Sequence, residues 1–129
     1  MWYAIKQMNK KILIIEDEKP AAKAMEIKLK KAGYEVRAVL NGDEGLKELE
    51  KGGYDLVILD IMMPVVDGWS ILEKIKEKGI KVKVIIISNL SQPEDKKRAM
   101  ELGASDYMVK TESTLANIVD RVQRFLYLL

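Results

Sequence analysis

Short apolar runs alternate along the chain with longer segments in which apolar residues recur every three or four positions. The runs are "KILIIED" from Lys11, "YEVRAVL" from Tyr34, "YDLVILD" from Tyr54, "VKVIIIS" from Val82 and "SDYMVK" from Ser105. Each is six or seven residues long, and together they are rich in Val, Ile and Tyr, which is typical of buried β-strands. The sequence therefore predicts five strands.

A helix is predicted after each run. The expected helices are Pro20 to Gly33, about Gly42 to Lys51 with Asn41 as its cap, Gly68 to about Lys78, Pro93 to near Gly103, and about Ser113 to Tyr127. In the first and last of these helices, apolar residues recur at the spacing of a face turned towards the core. In the first helix they are Ala21, Met25, Leu29 and Ala32. In the last they are Leu115, Ile118, Val119, Val122, Phe125, Leu126 and Leu129.

Five successive strand-helix units with apolar strands predict an α/β domain. Strands that are apolar on both faces are typical of a parallel sheet covered by helices on both sides. Ligands of such sheets bind beyond the carboxyl ends of the strands, where the strand order reverses. The ends of the predicted strands are therefore the positions at which to search for chemistry.

The composition of the chain excludes several classes of protein. The chain has 129 residues, which suffices for one domain, and its 22 basic and 20 acidic residues give a net charge of +2. This balance does not favour nucleic acid as a partner. The absence of Cys and His excludes thiol catalysis, Ser-His triads and the usual zinc ligands. The absence of Cys also fits a reducing compartment, and a cytoplasmic location is expected. No apolar window approaches the length of a membrane span, so no membrane role is expected.

Charged and hydroxyl side chains gather at the predicted strand ends. They are Glu16 and Asp17 after the first strand, Asp60 after the third, Ser88 after the fourth and Lys110 after the fifth. Three crowded carboxylates would raise one another's pKa unless a cation lay among them. A hard divalent ion with oxygen ligands, most simply Mg²⁺, resolves that conflict.

From Lys11 to about Tyr127 the chain resembles the receiver domain of two-component response regulators. The motifs that carry the resemblance are "IIEDE", "LDIMMPVVDGW", Ser88 after an apolar strand, and "GASDYMVK". Their order and spacing cover nearly the whole chain. The resemblance implies a flavodoxin-like, doubly wound (βα)5 fold with a five-stranded parallel sheet in the order 2-1-3-4-5. It places the domain at residues 10–129, after a short extension at residues 1–9.

The resemblance also implies roles for the residues at the strand ends. Asp60 would accept a phosphoryl group, and Asp17, Asp60 and the backbone carbonyl of Met62 would bind Mg²⁺, with Glu16 acting through water. Ser88 and Lys110 would contact oxygens of the phosphoryl group. Ser88 would also act in the switch, together with a switch aromatic at Tyr107.

The expected function is that of a phosphorylation-activated receiver rather than of an enzyme. The donor would be a histidine kinase or a histidine phosphotransfer protein, since the chain has no His of its own. The output would be an unidentified protein that binds a face formed by helix four, strand five and helix five. Small phosphodonors should support Mg²⁺-dependent self-phosphorylation, and autodephosphorylation is expected.

Two residues depart from the commonest receiver pattern besides the conservative Ser88. Asn89 stands where a small residue is usual, and Thr111 replaces the usual Pro after Lys110. We therefore expect a trans Lys110-Thr111 bond, because a cis bond without proline costs about 2.5 to 4 kcal/mol. Thr111 or Ser113 is expected to cap the last helix.

Other functions remain open at this stage. One is a receiver-like interaction module that works without phosphorylation, for which Asn89 and Thr111 are the support. A phosphatase of the haloacid dehalogenase type needs a second Asp two residues after its nucleophile, but Lys19 follows Asp17 and Met62 follows Asp60 at that spacing. A nucleotide or flavin carrier would need a Gly- or Ser/Thr-rich loop where this chain has "EDEKP".

Overall fold

The computed structural model describes residues 10–127, and within them it contains the predicted parallel sheet. The strands are β1 (Lys11–Ile15), β2 (Glu35–Val39), β3 (Leu56–Asp60), β4 (Lys83–Ser88) and β5 (Asp106–Val109). Their order across the sheet is β2-β1-β3-β4-β5, and every pair is parallel. The predicted flavodoxin-like topology is confirmed.

Within residues 10–127, five α-helices connect or follow the strands. They are α1 (Lys19–Lys31), α2 (Gly42–Lys51), α3 (Gly68–Lys78), α4 (Pro93–Glu101) and α5 (Leu115–Tyr127). Asn41 caps α2 as predicted, because its side chain accepts a hydrogen bond from the Glu44 N–H at 2.9 Å. Asp67 caps α3 in the same way through the Ser70 N–H, also at 2.9 Å.

Two apolar cores lie on opposite faces of the sheet, as alternation along buried strands requires. One core joins residues such as Leu13, Val57 and Ile86 to α2, α3 and α4. The other joins Ile14 and Ile58, among others, to α1 and α5. Burial on both faces fixes the strands in register and holds their carboxyl ends in one row.

The register determines which side chains meet at that row. Ile15 lies opposite Leu59, so that Glu16 and Asp60 leave neighbouring strands at the same level. Asp60 pairs with Ile87, and Ser88 pairs with Val109. The strand ends that carry the candidate residues are therefore adjacent in space.

Two helices differ in detail from the expectations. In α1 the buried alanine is Ala22 rather than Ala21, because Ala22, Met25 and Leu29 share one face of the helix at i, i+3 and i+7. In the last helix Ile118, Val122 and Leu126 are buried, whereas Leu115 is 38% exposed.

The β5–α5 connection also differs from the expectation. Lys110 lies outside the strand and begins a 3-10 turn, Lys110–Glu112, before α5 starts at Leu115. The cap of α5 is Thr114, not Thr111 or Ser113: the Asn117 N–H donates to Thr114 Oγ1, and the Thr114 N–H donates to Asn117 Oδ1, both at 3.1 Å. This reciprocal pair satisfies backbone groups at the start of the helix.

No peptide bond within residues 10–127 is cis, so the predicted trans Lys110-Thr111 bond is confirmed. The predicted extension at residues 1–9 and the predicted core role of Leu129 lie outside the described residues. Among the helices described, none is long and apolar enough to span a membrane.

Candidate functional site at the carboxyl edge of the sheet

Three carboxylates meet at the carboxyl edge of β1 and β3. One oxygen from each of Glu16, Asp17 and Asp60 lies within 4.8 Å of the other two. Glu16 is fully buried and Asp60 is 2% exposed, while Asp17 is partly exposed. The sequence prediction that these carboxylates converge is confirmed.

The backbone around Asp60 is tightly built. Its Oδ1 accepts a hydrogen bond from the Met62 N–H at 3.3 Å, so the loop turns back on the carboxylate. Gly68, the first residue of α3, lies so close that a Cβ there would meet the Asp60 carbonyl oxygen and lie 2.6 Å from the Ile61 Cα. Glycine at this position of the "VVDGW" motif is required because no side chain fits between the helix start and the strand end.

Lys110 supplies the positive charge at this edge. Its Nζ lies in contact with the Glu16 carboxylate, 3.0 Å from Glu18 Oε1 and 3.4 Å from Asp60 Oδ2. Burial disfavours the charged ammonium, but hydrogen bonds to Glu16 and Glu18 and the charges of Asp60 and Glu16 outweigh it and raise the pKa of Lys110. Lys110 is therefore a permanent cation at neutral pH.

The environment of Asp60 favours the neutral form of its carboxyl group. Burial, followed by a hydrogen bond and charge repulsion from Glu16, raises the pKa of Asp60 from 3.8 to about 8, against the opposing effects of Lys110 and the Met62 N–H. The positive charge of Lys110 therefore does not fully offset the effects of burial and of the neighbouring carboxylate of Glu16 on the pKa of Asp60. A perturbed carboxyl in contact with a charged partner at a strand end is typical of a functional site.

The donor set fits a hard divalent cation. The clustered groups are all oxygens, and Asp17 is open enough to solvent for an ion to keep several waters, as Mg²⁺ does. A cation among them would favour the ionised form of Asp60. The acidic cluster is thus suited to Mg²⁺ by its chemistry.

A chain of hydrogen bonds links two further predicted residues. Ser88 is fully buried, and its Oγ accepts a hydrogen bond from the Leu90 N–H at 3.1 Å. The hydroxyl of Tyr107 donates to the carbonyl oxygen of the same Leu90 at 2.7 Å. Burial raises the pKa of Tyr107, which is therefore a neutral donor at physiological pH. Ser88 and Tyr107 are joined through a single residue.

The remaining residues singled out in the sequence lie near this edge. Asn89 and Thr111 are both exposed. Glu18 was missed, although its position as the third consecutive acidic residue after β1 in "EDE" could have identified it. Its contact with Lys110, 92 residues away in the sequence, depends on the fold.

Comparison with known proteins gives a consistent result. Residues 12–123 match the family model described as the response regulator receiver domain. The chain is 41% identical over 100 residues to the transcriptional regulatory protein DltR of Streptococcus agalactiae, which covers 78% of this chain and 45% of that relative. It thus spans about half the length of the curated relatives it matches.

Solved structures resemble the fold closely. The receiver domain of the Francisella response regulator 1452 has a TM-score of 0.85 and 30% identity, covering 92% of this chain and 97% of that one. The BeF3-activated receiver domain of DrrB, a Thermotoga maritima protein, has a TM-score of 0.81 and 32% identity, covering 91% and 97%. With its acidic cluster, buried Asp60 and matched family model, this chain belongs to the response regulator receiver domain family.

Proposed function

We propose that the domain accepts a phosphoryl group on Asp60 from a phosphohistidine of a histidine kinase or histidine phosphotransfer protein. The observation that carries this proposal is the placement of buried Asp60 between the carboxylates of Glu16 and Asp17 and the ammonium of Lys110. One site thus contains a nucleophile, a cation that can bind the transferred group and a set of metal ligands.

The transfer begins with the ionised carboxylate of Asp60. One of its oxygens attacks the phosphorus atom of the donor, an acyl phosphate bond forms, and the bond from phosphorus to the donor nitrogen breaks with its electron pair leaving on the imidazole. Because the pKa of Asp60 is raised to about 8, positive charge near the carboxyl is needed to keep it ionised at neutral pH.

Lys110 and Ser88 act on the transferred group. The Lys110 ammonium, 3.4 Å from Asp60 Oδ2, would bind a phosphoryl oxygen once Asp60 is phosphorylated. The Ser88 hydroxyl would donate to another phosphoryl oxygen, and its Oγ accepts from the Leu90 N–H in the unphosphorylated domain.

Asp17, Asp60 and the backbone carbonyl of Met62 would hold Mg²⁺, with Glu16 reaching it through water. The ion, when bound, supplies the charge neutralisation that an anionic donor needs at a site with several carboxylates. Buried Glu16 keeps its ion pair with Lys110 and so maintains the arrangement of the site.

Signalling would use the Ser88–Leu90–Tyr107 chain. A phosphoryl group that takes the Ser88 hydroxyl as a donor alters the position of Leu90, and with it the acceptor of the Tyr107 hydroxyl. Tyr107 lies on β5, and we propose that the face of α4, β5 and α5 binds a protein partner. A cytoplasmic location is part of this proposal.

The proposed activity is that of a phosphoacceptor with autodephosphorylation, not of an enzyme acting on other substrates. A phosphorylation-independent interaction module would not need the buried contacts of Lys110 with Glu16 and Asp60, which cost desolvation. The phosphatase alternative lacks the second Asp that its motif requires.

Intact-mass spectrometry tests the proposal. Incubation with Mg²⁺ and acetyl phosphate should add one phosphoryl group, and the adduct should be absent without Mg²⁺ and in Asp60→Asn. Asp67→Asn, which changes a neighbouring carboxylate that caps α3, is the matched control and should still be labelled. Labelling that persists in Asp60→Asn would refute the assignment of the acceptor.

The donor is tested separately. The chain has no His, so ATP and Mg²⁺ alone should leave its mass unchanged. A phosphorylated histidine kinase should transfer its group to the domain. Labelling by ATP in the absence of a kinase would contradict the assignment of the domain as an acceptor only.

A further inference from the structure

Glu18 makes a contact that its position in the helix does not explain. It occupies the cap position of α1, yet its side chain forms no capping hydrogen bond. Its backbone N–H donates to Glu16 Oε2 at 3.3 Å, and its Oε1 lies 3.0 Å from Lys110 Nζ. The carboxylate thus points towards Lys110 rather than towards the open N–H groups of its own helix.

Glu18 is one of three carboxylates around the Lys110 ammonium. Lys110 Nζ is also in contact with fully buried Glu16 and lies 3.4 Å from Asp60 Oδ2. An ammonium has three hydrogen-bond donors, and Glu18 occupies one of them. The Glu18 side chain is 62% exposed, so the cost of separating this pair is small.

We infer that Glu18 is a positioning residue that restrains Lys110 in the unphosphorylated domain and competes with the phosphoryl group for its ammonium. The inference rests on the proposed phosphorylation of Asp60. Filling the site requires Lys110 to exchange one carboxylate for a phosphoryl oxygen. Glu18 therefore weakens the binding of phosphoryl groups and slows the phosphorylation of Asp60.

The expected size of the effect follows from exposure. Because the Glu18 side chain is 62% exposed, removing its charge should change the binding of a nearby anion by a factor of about two to five. Glu18→Gln keeps the shape and an oxygen acceptor but removes the charge. It should therefore tighten the binding of beryllofluoride in saturating Mg²⁺ and speed labelling by acetyl phosphate, both by that factor.

Titration calorimetry with beryllofluoride and rates from intact mass provide the two measurements. Glu26→Gln is the matched control, because it removes one carboxylate from the same helix, where Glu26 pairs with Lys23 and Lys30. It should leave both quantities unchanged. Equal gains in Glu18→Gln and Glu26→Gln would overturn the inference, because a general change of net charge would then explain them.

A double-mutant cycle tests whether Glu18 acts through Lys110. The gain from Glu18→Gln in beryllofluoride affinity should be smaller in a Lys110→Met background than in the wild type. An equal or larger gain in that background would overturn the inference. The ¹⁵N resonance of the Lys110 ammonium should also shift in unphosphorylated Glu18→Gln but not in Glu26→Gln.

The outcomes separate this inference from the proposed function. A wild-type protein that neither takes a phosphoryl group nor binds beryllofluoride would refute the proposed function itself. A wild-type protein that does both, with no gain in Glu18→Gln, would refute only the role of Glu18.

Discussion

Two buried carboxylates at opposite ends of the sheet have opposite environments. Glu48, on α2 near the amino ends of the strands, is 7% exposed, and Asp60, at the carboxyl end of β3, is 2% exposed. Glu48 accepts hydrogen bonds from Lys51 at 2.9 Å and from the Tyr54 hydroxyl at 2.8 Å, with Arg37 at 3.6 Å. Donors from Lys51 and Tyr54 hold the pKa of Glu48 below its usual range.

Asp60 has a different set of neighbours. Its Oδ1 accepts from the Met62 N–H, and the ammonium near it is shared with Glu16 and Glu18. Burial and Glu16 raise the pKa of Asp60 to about 8. Low exposure therefore does not by itself define a role: the carboxylate with its own donors stabilises the fold, and the more deeply buried one that shares a cation with other acids is suited to a ligand.

The backbone shows the same contrast. The positive φ angles near the amino ends of the strands belong to glycines, among them Gly52, Gly53 and Gly79. In the described residues, Val65 in the β3–α3 loop is the non-glycine residue with positive φ, at 68°. Strain thus lies beside the candidate site.

Removing the ammonium at the site should have the largest effect. Lys110→Met deletes the cation that contacts Asp60, so phosphorylation by acetyl phosphate should slow about a hundredfold. Lys51→Met removes the matched lysine beside Glu48 and should leave the rate unchanged. Equal rates in Lys110→Met and the wild type would mean that the lysine beside Asp60 matters no more for phosphorylation than the lysine beside Glu48.

The raised pKa of Asp60 gives the next prediction, for protein without Mg²⁺. Between about pH 4 and 8 the folded protein holds a proton that the unfolded chain, with its ordinary value of 3.8, has released. The free energy of unfolding should therefore fall as pH rises, by at most about 1.4 kcal/mol per pH unit from this group.

Urea denaturation at pH 6 and pH 8 in EDTA measures this dependence. Asp60→Asn stays neutral, so its free energy of unfolding should change less between the two values than that of the wild type. Its stability should exceed that of the wild type at pH 8. The same loss in both proteins would show that Asp60 is not the group responsible.

At the opposite end the effect should be confined to stability. Tyr54→Phe removes the hydroxyl that donates to Glu48, and it should lower the free energy of unfolding by about 1 to 2 kcal/mol. The phosphorylation rate should not change. A slower rate would mean that the two ends of the sheet are coupled.

The smallest effect is expected at Val65. Val65→Gly relieves a left-handed conformation that a β-branched residue disfavours, and the greater freedom of glycine in the unfolded chain offsets part of the gain. A net stabilisation of about 0.5 to 1 kcal/mol is expected in urea denaturation. Val65→Ala, which keeps a Cβ, should gain less. A loss of stability in Val65→Gly would contradict the expectation that relief of strain exceeds the entropic cost of glycine.

Much of the site was predictable because strand ends are readable in the sequence. Asp60, Ser88 and Glu16 each end or follow an apolar run, and parallel strands bring such ends to one edge. The cap of α5 was not predictable in the same way. Thr111, Ser113 and Thr114 are all capable of capping, and only the 3-10 turn of residues 110–112 decides in favour of Thr114.

The sequence by itself determined how strands and helices alternate along the chain, the two-sided burial of the sheet and the set of polar groups at its carboxyl edge. Periodicity and composition carry that information locally. The tertiary structure decided which carboxylates share a cation. Glu18 meets Lys110 from 92 residues away, and Asp60 differs from Glu48 through its partners in space. Electrostatic energies depend on distance and burial, which exist only once the chain has folded.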